Sequence, residues 1–169
     1  RGKLLEALEK IEPATLTSQV QQLASNMDHE DNRVRRFVVM SLGNLDVEVI
    51  LQHVPMNKLG QVLMDSNSEV REAAIETLGK FTGDEIAQIS EAVVNMFTSP
   101  TSMPSTRKAV MQSLIIKLMP DVLMTHTDAL LPQLEDASKK LESSEWSARK
   151  DAAEVMGALA PLLTTAQSL

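Results

Sequence analysis

Four arginines recur along this chain at near-regular spacing. Arg35, Arg71, Arg107 and Arg149 follow one another in steps of 36, 36 and 42 residues. A guanidinium is always charged and presents a planar fork of donors. A column of them can grip an acidic tail or a phosphate, or it can bridge loops of the fold. We read the column as a structural ladder, because the chain carries 23 acidic residues against 16 basic ones, a net charge of −7. Other reactive side chains lack the spacing of a site. His29, His53 and His126 lie far apart, and no H-E-x-x-H or H-x-x-E-H run occurs. There is no Cys, so disulfides, thiolate catalysis and Cys-ligated zinc are excluded. The carboxylates form solvated faces, with Glu69, Glu72 and Glu76 in one segment and Glu135, Asp136 and Glu142 in another. Nothing singles out a pair for acid–base work. Gly43, Gly79 and Gly157 belong to no phosphate-binding loop and are expected to serve helix packing or capping. No Ser-centred nucleophile motif appears. The expectation is a non-enzyme with no catalytic residue, cofactor, metal or small-molecule substrate.

Each Arg opens a phrase. Val34-Arg35 ends in Leu42-Gly43, Val70-Arg71 in Leu78-Gly79, and Ala148-Arg149 in Met156-Gly157. Arg107 opens a degenerate copy with Leu114 and, in the Gly slot, Ile115. Counting from the Arg, position +3 holds Val38, Ala74, Val110 and Ala152. Position +4 holds Val39, Ile75, Met111 and Ala153, and position +7 holds Leu42, Leu78, Leu114 and Met156. Such spacings put one apolar stripe on a helix. Leu4, Leu5 and Leu8 repeat the pattern from Arg1. Upstream of each helix a partner reads out, as in Leu16, Val20, Leu23 and Met27. The unit is helix A, a short loop, then helix B. Helix A is predicted at 13–27, 55–64, 84–98 and 127–142. Helix B is predicted at 32–45, 68–80, 104–118 and 146–160. Ser66 with Glu69 reads as a capping box, and Asp84 as a cap. Aromatics are only 2% of the chain, which suits helices over strands. A period in this range denotes a stacked repeat array.

The pattern Asp65…Val70-Arg71-x-x-Ala74-x-x-x-Leu78-Gly79 resembles the HEAT repeat, including the Asp six residues before the Arg. The short spacing and Leu-Gly ending look most like the subtype found in phycobilisome-lyase proteins. His29, Thr101 and Ser143 replace the Asp in the other units, so the Asp–Arg ladder that the resemblance implies is only partly available. The resemblance implies an all-α, right-handed α-solenoid of antiparallel helix pairs. It would form a single array over 1–169, with units at about 11–46, 47–82, 83–120 and 121–161 and partial units at 1–10 and 162–169. Both ends fall inside units, so the array is expected to be a fragment of a longer solenoid or to be covered by a partner.

Function is then expected from positions +1, +5 and +9 of helix B, which point away from the seam. They read Arg36-Met40-Asn44, Glu72-Glu76-Lys80, Lys108-Gln112-Ile116 and Lys150-Glu154-Ala158. By resemblance these helices line the binding surface, and the mixed charge suits a helical or extended segment of another protein. The expected role is an adaptor or scaffold within a larger assembly. Two alternatives come with the resemblance: a bilin or tetrapyrrole lyase or chaperone, and a transport or nucleic-acid adaptor. The acidic balance disfavours nucleic acid. No apolar run reaches the roughly 20 residues of a membrane span. The lack of Cys and of Asn-x-Ser/Thr sequons points to an intracellular or organelle-interior setting.

Overall fold

A computed structural model describes the backbone from Pro13 to Ala166 and side chains from Gln19 to Leu163. The apolar pattern expected at 1–10 lies outside the described residues. Among those described, every regular element is helical. The chain divides into two compact units, one running to Phe81 and the other starting at Thr82.

The first unit holds α1 (Pro13–Ala24), α2 (Asn32–Leu42), α3 (Val47–His53), α4 (Met56–Val62) and α5 (Ser68–Leu78). The B helices α2 and α5 pack on one another, with α1 against α2 and α4 against α5. They run parallel: Arg36 reaches Glu69, the Val39 carbonyl accepts from Thr77, and Lys80 donates to the Gly43 carbonyl. Val38, Val39 and Leu42 from α2 are buried, as are Val70, Ala74, Ile75 and Leu78 from α5. Gly43 matters here. A Cβ on it would lie 2.5 Å from Thr77 Oγ1, so the bare Cα lets the helices approach.

The second unit holds α6 (Gly83–Ala87), α7 (Ser90–Thr98), α8 (Pro104–Ser113), a 3₁₀ turn (Ile115–Lys117), α9 (Pro120–Met124), α10 (Thr127–Lys140), α11 (Trp146–Ala158) and α12 (Ala160–Ala166). Helices α7 and α10 pack together, and α8 and α11 are the B helices. Val93, Phe97, Val110, Leu114, Leu130, Leu134 and Ala152 are buried.

Several boundaries differ from those expected. Helix A is split. Val54, extended before Pro55, separates α3 from α4, as Pro disfavours helix in the residue before it. Ile89 and His126, with φ of −119° and −112°, make the same break before α7 and α10. The segments Val47–His53 and Pro120–Met124 are therefore helices that periodicity did not reveal. Helix α8 stops at Ser113, because Leu114 (φ −123°) redirects the chain into the 3₁₀ turn. Leu159 likewise interrupts the predicted 146–160 helix. The caps also move. Asn67, not Ser66, accepts from Glu69 and Val70 N–H at 2.9 and 3.2 Å. Thr82, not Asp84, precedes α6, and its N–H donates to Glu85 at 2.7 Å.

Helix α11 departs from the seam register. Ala152 is buried, but Ala153 is exposed and Met156 half-buried. A Cβ on Gly157 would meet nothing within 4 Å, so the expected packing role fails there. The Gly slot after α8 is filled by buried Ile115, and α8 and α11 do not close as α2 and α5 do.

Candidate functional site

Two surfaces hold the side chains of interest: the loop ends of the repeats, where the Arg column sits, and the outward faces of the B helices.

Each column Arg turns back onto the loop before its own helix. Arg35 Nη1 donates to the carbonyls of His29 and Glu30 at 2.7 and 3.0 Å. Arg71 does so to Asp65 and Ser66 at 2.7 and 3.1 Å, and Arg149 to Ser143 and Ser144 at 2.8 and 2.9 Å. Carbonyls of the loop between helix A and helix B are thus satisfied by charge-assisted bonds. Arg107 is weaker, with one bond of 3.4 Å to the Ser99 carbonyl. Asp65 adds a link between repeats, accepting from Arg35 Nε at 2.7 Å and Nη2 at 2.8 Å. Both side chains are mostly buried, with exposures of 13% and 11%. The Arg35 guanidinium, aided by the Asn67 N–H, holds the Asp65 carboxyl below its ordinary range against the opposing effect of burial. Asp31, which caps α2, is brought to about 2 by Arg33.

The outward faces divide into two cases. In the first unit Arg36, Met40, Glu72, Glu76 and Lys80 are all exposed. Arg36 touches Glu69 at 3.5 Å, and Lys80 is held by the Gly43 carbonyl. Glu72 and Glu76, one turn apart, have no hydrogen bond or ion pair among the described residues. Between the helices lies a shallow recess of about 140 Å³ lined by Met40, Gly43, Ala73, Glu76 and Thr77. In the second unit the corresponding residues are engaged with one another. Lys108 meets Asp151 at 2.6 Å and Glu154 at 3.6 Å, and Gln112 donates to Glu154 at 2.8 Å. Asp151 raises the Lys108 pKa above its usual value, chiefly through this hydrogen bond. Lys150 lies 5.6 Å from the Trp146 ring centroid, a cation–π distance. Ile116 is 58% exposed. Two crevices of about 440 Å³ each flank the polar bridge between α8 and α11. Asp151 and Thr77 were missed in the sequence. Asp151 lies 43 residues from Lys108, more than one repeat, and a lone buried Thr leaves no periodic signal.

Among the described residues no cluster of His, Asp and Glu could hold a metal ion, and no helix is long and apolar enough to cross a membrane.

The family profile for HEAT repeats matches residues 20–115, over half of the chain. The chain belongs to the HEAT-repeat family. No curated protein sequence matches it. Solved structures give the same fold at low identity. One engineered protein is 20% identical with a TM-score of 0.62, covering 83% of this chain and 62% of its own. A second engineered protein is 16% identical, with a TM-score of 0.60 over 83% of this chain and 37% of its own. A designed armadillo repeat protein in complex with the peptide (KR)4 is 16% identical, with a TM-score of 0.62 over 92% of this chain and 69% of its own. This chain therefore spans less than two thirds of the two engineered structures. HEAT and armadillo-like repeats commonly serve as protein-interaction scaffolds and are typically non-catalytic.

Proposed function

We propose that this HEAT array is a non-catalytic adaptor within a larger assembly, and that it holds a segment of another protein on the outward faces of α2 and α5. The observation that carries this reading is the state of Met40, Glu72 and Glu76. They stand exposed, and the two carboxylates have no bond to the rest of the unit, while every apolar stripe residue of these helices points inward. The fold does not need them where they are. Like charges one helical turn apart weaken a helix by a few tenths of a kcal/mol, so a partner accounts for them better than stability does. The peptide-bound armadillo neighbour supports the use of such a surface for an extended segment.

The sequence-based candidates in the second unit rank lower. Lys108, Gln112 and Glu154 already satisfy one another, so a partner would have to break those contacts first. A photo-crosslinking side chain placed at Met40 should capture a protein that one placed at exposed Gln61, on helix α4, does not. The double reversal Glu72→Lys with Glu76→Lys should reduce that capture at least tenfold while leaving the melting temperature within about 2 °C. Equal capture from both positions, or no effect of the reversal, would sink the assignment.

A further inference from the structure

We propose that Ser143 is a phosphorylation site, and that a phosphate there ties the third repeat to the fourth through Arg107. The internal repeat carries the inference, and it stands apart from the adaptor reading. Ser143 lies six residues before Arg149, as Asp65 lies six before Arg71. The two positions make the same local bonds. Asp65 Oδ1 accepts from the Asn67 N–H at 2.8 Å, and Ser143 Oγ from the Glu145 N–H at 3.2 Å. Their carbonyls accept from Arg71 at 2.7 Å and from Arg149 at 2.8 Å.

What differs is the charge. Asp65 takes the guanidinium of the preceding repeat, Arg35, in a two-bonded grip. The Arg of the repeat preceding Ser143 is Arg107. Among the described residues it has no carboxylate partner and only the 3.4 Å bond to Ser99. It faces an open crevice, shared with Lys140 at the end of α10, three residues before Ser143. The slot that holds an anion in the first unit is thus neutral in the second, one repeat after a cation with capacity to spare.

Phosphorylation supplies that anion. A protein kinase would transfer the γ-phosphoryl group of a nucleoside triphosphate. An O–P bond forms at Ser143 Oγ, the terminal phosphoanhydride bond breaks, the nucleoside diphosphate leaves, and the hydroxyl proton passes to solvent. The product carries about −1.5 to −2 charges and three acceptor oxygens. Arg107 is the cation left to receive it, since Lys140 is already paired with Asp136 at 2.6 Å. Ser143 sits in the loop between α10 and α11, partly exposed between the exposed Glu142 and Ser144, where a kinase reaches it. Glu142 and Glu145 repel the phosphate and reduce the net effect.

The test is amide hydrogen exchange in α8 and α11 of the protein carrying phosphoserine at 143, installed during synthesis, against the unmodified protein. Exchange should slow roughly tenfold, the size of a charge-assisted bond partly offset by the flanking Glu residues. With Arg107→Gln the slowing should vanish, while Ser143→Ala should exchange like the unmodified protein. Unchanged or faster exchange on phosphorylation, or equal slowing without Arg107, would overturn the proposal. Phosphopeptide mapping of the protein from the cells that make it should find phosphate on Ser143. Phosphate absent from Ser143 overturns it as well.

Discussion

Replacing Asp65 by Asn tests the link between the first two repeats and makes a prediction with a definite pH dependence. Asp65 receives two bonds from Arg35, and both side chains are nearly out of solvent. Removing one partner of a buried ion pair costs about 3–5 kcal/mol. Two features soften this. Arg35 keeps the His29 and Glu30 carbonyls, and an Asn can still accept from the Asn67 N–H. We expect a loss of about 2–3 kcal/mol at pH 7 in the unfolding free energy of the first unit. The pH dependence follows from the depressed carboxyl. Its folded pKa lies below the ordinary Asp value of about 3.9. A group depressed in this way stabilises the fold fully above its unfolded pKa, and the contribution is lost as pH falls through the folded pKa. The wild-type advantage over Asp65→Asn should be flat above about pH 5 and shrink below about pH 4. Asp31 titrates in the same acid range, but it does so in both proteins and cancels from the difference. Urea unfolding at a series of pH values, followed by circular dichroism, measures it. A difference under about 0.5 kcal/mol at pH 7, or one that persists unchanged to pH 2.5, would refute the argument that the buried pair carries the contact.

Three further substitutions probe the B helices. Gly43→Ala should destabilise by about 1–2 kcal/mol, since the new methyl displaces Thr77 and its 3.2 Å bond to the Val39 carbonyl. Gly157→Ala, in the same repeat position but with open space around it, should stabilise by about 0.5–1 kcal/mol through helix propensity alone. Thermal melts of the two variants should move in opposite directions, and a shared sign would mean that the helix contacts are misassigned. Leu78→Ala should cost roughly 2–5 kcal/mol, since Leu78 is 1% exposed. In a linear array the loss should spread to adjoining repeats as faster hydrogen exchange in α2, and a change confined to α5 would contradict that coupling.

The seam was legible because burial imposes a period. Val38, Val39 and Leu42 recur as Ala74, Ile75 and Leu78 and again as Val110, Met111 and Leu114, and all nine are buried. The split of helix A was not legible. Segments of five to seven residues span less than two turns, too few for a period to show. The breaks at Ile89 and His126 carry neither Gly nor Pro, and their chain direction is set by packing instead. The Arg column was legible as a pattern, and its i−6 and i−5 carbonyl contacts recur at Arg35, Arg71 and Arg149, each of which is the fourth residue of its helix B. Arg107 is likewise fourth in α8, behind a loop as long as those before α5 and α11, yet it bonds only the Ser99 carbonyl, at i−8.

The candidate binding residues show where repetition stops being informative. Equivalent positions in the four copies looked alike as outward-facing sites, yet they differ in state. Glu72 and Glu76 are unpaired, whereas Glu154, at the same position as Glu76, accepts from Gln112 and meets Lys108. The cause is the 42-residue step, in place of 36, between Arg107 and Arg149, together with Ile115 in a Gly slot. With no Gly to let the backbones close, α8 and α11 meet through long polar side chains that span the gap. A stripe that bridges its own helices has less to offer a partner. The irregular unit thus uses its surface charge to hold itself together, and the regular one leaves its charge free to be read.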